Sequence, residues 1–390
     1  MIRLLIRRVA LVLTVLTLLA ACGQTGGAAN DSTAGQASPS PAAESPAAEA
    51  SPSPEASPTA SPSPEASPTV SPAPEATAAA EGGELVVYSG RNEQLIGPLI
   101  ERFQEETGIN VRVNYGNTAE LAVTILEEGR NSPADIFFAQ DAGALGALAE
   151  EDRLQELPDD LLARVDERFR SDDDEWVGIS GRARVVIYNT NVLTETDLPE
   201  SIFGFTDPQW KGRIGWAPTN GSFQSFVTAL RKLEGEERAR EWLEGIQANE
   251  PKVYEGNMPI VQAVGAGEID VGFVNHYYLY RVLAEQGESF PARNYFLKNG
   301  DPGALVNIAG VGILDTARNR DAALRFVEFM LGEEAQRYFA DTTYEYPLTE
   351  GVEPNAALPP LNDIQTPNID LSDLEDLEGT LKLLQDLGIL

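Results

Sequence analysis

Two adjacent tyrosines, Tyr277-Tyr278, follow an apolar run that ends at Val274, and they fall on neither a period-2 nor a period-3.6 apolar face. Adjacent tyrosines most often pack in a core, and that reading stays open. Their phenol oxygens are also hard donors for a highly charged cation, because a trivalent ion can deprotonate a group whose ordinary pKa is ~10. Tyrosinate ligation of iron has precedent in proteins. Other segments that read as turns after strands are Tyr88-Ser89-Gly90-Arg91-Asn92, Gln140-Asp141, Ser180-Gly181-Arg182 and Thr219-Asn220-Gly221-Ser222. In two of these an Arg follows a Gly. Backbone N–H groups at helix starts, with guanidinium nearby, make an anion site. Tyrosine pair and arginine turns together suggest Fe(III) on phenolates, with an anion completing its coordination.

Composition narrows the alternatives. The chain has 390 residues, one His and one Cys. Multi-imidazole sites, thiolate clusters and a disulfide framework are therefore excluded. Lys+Arg number 28 against 61 Asp+Glu, a net charge of −33, which rules out nucleic-acid binding by phosphate neutralisation. No nucleophile, base and orienting group stand out as a set, so the chain reads as a binder and not an enzyme. The lone His276 is expected to face solvent. Arg182 and Arg184 share a strand, with one expected in the cleft and Arg184 in a salt bridge. Tyr115 and Tyr280 read as packing residues, Trp176, Trp210 and Trp216 as core or lobe surface, and Thr219–Ser222 as a helix start.

The elements that must position these residues alternate from Gly83 onward. Leu85–Tyr88 suits a buried strand, and Leu95, Ile96, Leu99, Ile100 and Phe103 give a helical stripe stopped by Gly108. Ile109–Tyr115 reads as the next strand. Asn117 caps a helix with Leu121, Ile125 and Leu126; Ala134–Phe138 is a third strand; and Asp141 caps a helix over Ala142–Glu151. Further strands are expected at Ala183–Tyr188, Ile214–Trp216, Val253-Tyr254 and Ile269–Val274. Further helices are expected at Phe223–Glu234, Glu236–Gln247, Ile260–Ala266, Leu279–Gln286 and Arg320–Gly332. This is the order of an α/β protein with buried parallel strands, and about 300 residues exceed one comfortable core, so two lobes are expected. Ligands of such sheets bind beyond the carboxyl ends of the strands.

The N-terminus differs. Three arginines precede an apolar run from Val9 to Ala21, too short for a permanent span and typical of a secretory signal. Leu19-Ala20-Ala21-Cys22 resembles a lipobox, which would make Cys22 the lipidated first residue of the exported protein. Residues 23–82 hold eleven prolines and no aromatic, Lys or Arg, the composition of a disordered stalk.

Several in-order blocks carry a resemblance over nearly all of 83–390. They are Val86-Val87-Tyr88-Ser89-Gly90-Arg91, Tyr115–Leu121, Ser132–Leu145, Trp176–Asn189 and Gly267–Tyr278. The region resembles the ferric-ion-binding periplasmic proteins of ABC importers, the transferrin-like bacterial family. The resemblance implies an α/β, two-lobed Venus-flytrap fold, type II-like, with hinge strands near Ala183 and Val306. Lobe 1 would take about 83–184 and 307–358, and lobe 2 about 185–306 and 359–390. It implies Tyr277 and Tyr278 as paired iron ligands and Tyr188 as the third tyrosine of a three-tyrosine subset. Asn92 and Gln140 stand where other members have His and Glu ligands, and Glu93 beside Asn92 is not assigned a role. Arg91, Ser180, Gly181, Arg182 and Asn275 would contact a carbonate or bicarbonate, with Asn257 and Asp141 as further candidates. An ABC permease and ATPase complex would be the partner of a monomer anchored on the outer face of the membrane. The rival readings are a binding protein for a sugar, polyamine or phosphonate, a tethered hydrolase, and a structural envelope lipoprotein.

Overall fold

The computed structural model describes residues 83–390. The expected signal, Cys22 and the stalk lie outside the described residues. Glu84–Ser89 (β1) is the innermost parallel strand. Its side chains from Val87 to Ser89 are all buried, with Asn110–Tyr115 (β2) on one side and Ile136–Ala139 (β3) on the other. The crossover between β1 and β2 is Glu93–Thr107 (α1), buried along the predicted stripe and stopped where Gly108 turns left-handed at φ 70°. Thr118–Glu128 (α2) starts at Asn117, whose side chain accepts from the Ala119 N–H, and Ala142–Glu150 (α3) starts at Asp141. Leu154–Gln155 (β4) and Asp159–Leu162 (α4) lead into the long central strand Trp176–Asn189 (β5), buried along its whole length.

The strand β5 is where the two lobes join. From Trp176 to Ala183 it pairs with the antiparallel strand Val306–Leu314 (β10), completing a first-lobe order β2-β1-β3-β10-β5. From Arg184 onward it changes partners to Val271–Asn275 (β8) and Ala292–Tyr295 (β9). Parallel strands Ile214–Trp216 (β6) and Lys252–Val253 (β7) complete the second sheet. Its helices are Gly221–Glu234 (α5), Glu236–Ala248 (α6), Asn257–Ala266 (α7) and Tyr277–Gln286 (α8). Arg320–Met330 (α9) and Glu333–Asp341 (α10) then cover the first sheet, Tyr346–Pro347 (β11) adds to β5, and Leu377–Asp386 (α11) ends the chain.

The apolar side chains form two clusters, a larger one that runs through both lobes and a smaller one within the second lobe and the C-terminal helix. The second is rich in aromatic side chains: Trp210, Trp216 and Trp242 are buried with Phe205, Phe223, Phe226 and Phe273. Each such side chain stabilises by about 1.5–3 kcal/mol when removed from water. Trp176 is buried in the first cluster, so all three tryptophans singled out earlier are core residues.

Four expectations differ from the structure. The single helix expected over Arg320–Gly332 stops at Met330, and α10, opening at Gly332, was missed. Strands β9 and β11 and helix α11 were not expected. The β5 strand starts seven residues earlier than Ala183, because Gly178, Ser180 and Gly181 form strand when flanked by β10 and β11. The tail from 359, expected in the second lobe, spans both. Leu374 and Glu375 lie against α3 of the first lobe, and Leu383 and Leu384 join the aromatic cluster of the second. Gly143 and Gly146 of α3 leave the bare backbone that Leu374 and Glu375 press against.

Candidate metal centre

Tyr277 and Tyr278 occupy the first turn of α8, directly after β8, rather than an open turn. Their rings stack at 4.3 Å with 29° between planes, and both are buried. Among the described residues the Tyr277 hydroxyl has no hydrogen-bond partner of good geometry. Burial, then the neighbouring Tyr277, pushes the Tyr278 phenol well above its ordinary pKa, while Arg91 pulls the other way. The Tyr278 phenol therefore needs a strong cation to replace its proton before it ionises here.

His276 sets the pair in place, and the expectation that it faces solvent is corrected. Its ring is fully buried. Nδ1 accepts the Ala183 N–H at 3.1 Å, so the proton sits on Nε2, which donates to the Tyr344 carbonyl at 2.9 Å. The ring packs tilted at 32° against Tyr346, 4.9 Å between centres, and the His276 carbonyl accepts from Asn294 at 2.8 Å. Burial drops its pKa to about 3. It is a neutral clamp between the hinge strand and α8.

Across from the phenols, Arg91 is fully buried at the turn between β1 and α1. It donates to Gln140 at 2.9 Å and to the Glu345 carboxylate at 2.6 Å. Glu345 also accepts from Ser180 at 3.0 Å and from Thr343 at 2.9 Å. It was not singled out from the sequence. Arg182, from β5, is buried, and among the described residues none of its three guanidinium nitrogens has a partner. Burial, then Arg91, lowers its pKa.

Arg184 lies two residues along the same strand. The two do not alternate as expected, because a period of two puts both on one face of the strand. Among the described residues Arg184 makes no salt bridge: it donates to Asn275 at 3.3 Å and lies 5.6 Å from the centre of the Phe226 ring. Burial, then Arg182, lowers it to about 9.

The remaining candidates sort by geometry. Asn275 donates to Ser222 at 3.1 Å, and its backbone N–H donates to Asn257 at 3.1 Å. Asn257 thus orients Asn275 within the second lobe. Ser180 and Gly181 are not in a strand-to-helix turn. They sit mid-strand between β10 and β11, where Gly181's backbone is held in the ladder and the Ser180 hydroxyl is engaged by Glu345. Asp141 caps α3 with one oxygen and leaves Oδ2 unpaired. Burial, offset in part by Arg182, raises its pKa to about 6. It can touch an anion only when protonated.

Tyr188 is not brought to this group. It pairs with Val271 while Arg184 pairs with Asn275, four residues nearer the phenols, or about 13 Å at strand spacing. Its side chain lies in the second-lobe apolar cluster, and its charged neighbours are Glu195 and Arg293.

The lobes meet over a cleft of 390 Å³ lined from one side by Arg91, Asn92, Glu93 and Gln140 and from the other by Asn220, Gly221 and Tyr278. Asn117 donates to the Thr219 carbonyl across it at 2.8 Å, and Gln140 to Ser222 at 3.4 Å. Among the described residues no group of three or more His, Cys, Asp or Glu side chains could hold a metal. A metal in this cleft would rest on the phenol oxygens, and the unpaired donors of Arg182 would suit an accompanying anion.

Comparison with known proteins agrees with this geometry. Residues 131–373 match the sequence profile of a family described as bacterial extracellular solute-binding protein. The chain is 35% identical over 309 residues to the major ferric iron-binding protein of Neisseria meningitidis, covering 78% of this chain and 93% of the relative. Iron-bound HitA from Pseudomonas aeruginosa superimposes with a TM-score of 0.75 at 36% identity, over 78% of this chain and 99% of that one. A Trichodesmium protein solved in complex with iron and citrate gives a TM-score of 0.67 at 30% identity, over 78% and 99%. Two lobes hinged on β5 and β10, a cleft that Tyr278 and Arg91 line, and these relatives lead to one assignment: the chain belongs to the bacterial extracellular solute-binding proteins and is a binding protein, not an enzyme.

Proposed function

We propose that this protein captures Fe(III) outside the cytoplasm and delivers it to an ABC importer, with Tyr277 and Tyr278 as phenolate ligands and an anion held by Arg91 and Arg182. The observation that carries the reading is the stacked, buried phenol pair beside the unpaired guanidinium of Arg182, with Tyr278 and Arg91 reaching the cleft. Relatives named for ferric iron support the metal. With Tyr188 remote, the anion supplies the positions that two phenolates leave open. Carbonate or bicarbonate fits a small bidentate role, and the citrate of the Trichodesmium protein shows that a larger carboxylate accompanies iron in one relative.

Each lobe would act in turn. The second lobe presents the phenols, positioned by His276. Binding releases two protons as the phenols ionise. Closure about β5 and β10 brings Arg91 over the anion. Export by the N-terminal signal, a lipid anchor at Cys22, the stalk as tether, and a monomer docking on a permease and its ATPase complete the proposal.

Titrating the full chain with Fe(III) and bicarbonate at neutral pH tests it. A visible tyrosinate-to-iron charge-transfer band is expected. It should vanish in the Tyr277→Phe, Tyr278→Phe double variant, whose affinity should fall by roughly 10³-fold or more, as expected for leaving a buried charge uncompensated. A colourless wild type that binds an oxyanion without iron would favour the rival reading, which the unpaired Arg182 donors also suit.

A further inference from the structure

Glu345 has no place in the ligand set just described, yet it is the most heavily bonded side chain beside it. It is fully buried and accepts from Arg91, Ser180 and Thr343. It arrives from far along the chain, on the segment between α10 and β11. Tyr344 beside it adopts φ 59°, a left-handed conformation that a tyrosine rarely takes. That conformation lets one short segment present the Tyr344 carbonyl to His276 of the second lobe and the Glu345 carboxylate to Arg91 of the first.

Charge decides what Glu345 does there. Three buried guanidinium groups, Arg91, Arg182 and Arg184, converge on the phenols. Among the described residues two carboxyls face them, Glu345 and Asp141, and only Glu345 forms a salt bridge with any of the three. A trivalent cation on two phenolates adds one further positive charge. The interior thus holds an excess of positive charge that the bound anion must balance, in a setting where each unit counts far more than in water.

We propose that Glu345 is the residue that sets how much negative charge the bound anion carries. It cancels one guanidinium without occupying the anion's place, and so holds the demand to that of a small dianion. Removing its charge while keeping its shape should shift the preference to a more highly charged polycarboxylate. Glu345 is a positioning and charge-setting residue that acts through Arg91. The inference rests on the iron-and-anion reading above.

The test measures the affinity of the full chain for bicarbonate and for citrate, each with and without Fe(III), by calorimetry and by the visible band. Glu345→Gln should change the citrate-to-bicarbonate affinity ratio on the order of tenfold toward citrate. Thr343→Val removes one hydrogen bond to Glu345 but no charge, and its ratio should stay within about twofold of wild type. Arg184→Met removes one positive charge and should move the ratio the opposite way, which keeps the idea testable if the Gln variant folds poorly. Equal weakening of both anions in Glu345→Gln, or a ratio shift as large in Thr343→Val, would overturn the assignment. A wild type that binds both anions but no Fe(III) would instead sink the iron reading. The metal-free anion ratios would still decide the role of Glu345.

Discussion

The two faces of the cleft solve the problem of buried polarity in opposite ways. The second lobe presents neutral groups: two phenols, and a histidine whose ring nitrogens are both hydrogen-bonded. The first lobe and the hinge present charge: Arg91 paired with Glu345, Arg182 without a partner, and Asp141 with one oxygen unpaired. A neutral group loses by becoming charged, whereas an unpaired charged group gains by losing its charge or acquiring a counter-ion. The two faces should therefore respond to pH with opposite signs.

His276 gives the largest expected effect. Its pKa in the folded chain, about 3, lies below the ordinary 6.5. Between these values the unfolded chain takes up a proton that the folded chain refuses, so stability is full above pH 6.5 and falls as pH drops toward 3. The whole window is worth about 5 kcal/mol at 1.36 kcal/mol per unit. His276→Gln keeps a donor and an acceptor but cannot charge. In urea unfolding of the iron-free protein it should lose less stability than wild type between pH 6.5 and pH 3, by about that amount in total, and so show a shallower pH slope. Equal slopes would show that the second-lobe face is not built on neutrality.

Asp141 should run the other way. Its folded pKa of about 6 lies above the ordinary 3.8. Folding therefore favours the protonated form, and stability falls as pH rises from about 4 to 6, the penalty being complete above 6. Asp141→Asn keeps the helix cap and removes the charge. The same unfolding measurement should show a gain of about 3 kcal/mol at pH 7 that disappears near pH 4. A loss at pH 7 would mean that Arg182 needs this carboxylate as a counter-ion, and the contrast between the faces would weaken.

The sequence discloses these two faces unequally. The phenol pair was legible because adjacent tyrosines off any apolar period stand out, and Asp141 because a helical run begins just after it. Arg91 was legible as a Gly-Arg turn after a strand. Glu345 was not. It meets Arg91 254 residues away in sequence, and Thr343-Tyr344-Glu345-Tyr346-Pro347 reads only as a loop before a proline. The single hint is a lone acid between two aromatic residues. His276 misled because burial depends on which strand its ring packs under, here β5. Ser180-Gly181 misled because glycine and serine mark turns unless strands flank both sides. The shared face of Arg182 and Arg184 follows from the period of two and needed no structure. Tyr188 shows the limit of positional matching: it lies on the expected strand, at the wrong end.

Where the faces touch, the smallest expected effect gives the finest test. Gly221 opens α5 in the second lobe, and a Cβ placed on it would lie 2.9 Å from Asp141 Oδ2 of the first. The contact exists only while the lobes are together, so Gly221→Ala should leave each lobe intact and disfavour closure. Overpacking of this kind costs about 1 kcal/mol where one buried side chain can move aside, and iron affinity should fall about fivefold. Unfolding of the iron-free protein should change less. Asp141→Ala removes the obstructing carboxylate, so in the double variant the alanine at 221 should no longer lower iron affinity. The two changes would then be coupled by about the same 1 kcal/mol in a double-mutant cycle. Additive effects would mean that Gly221 is kept for its backbone and not for this contact, and that charge alone separates the two faces.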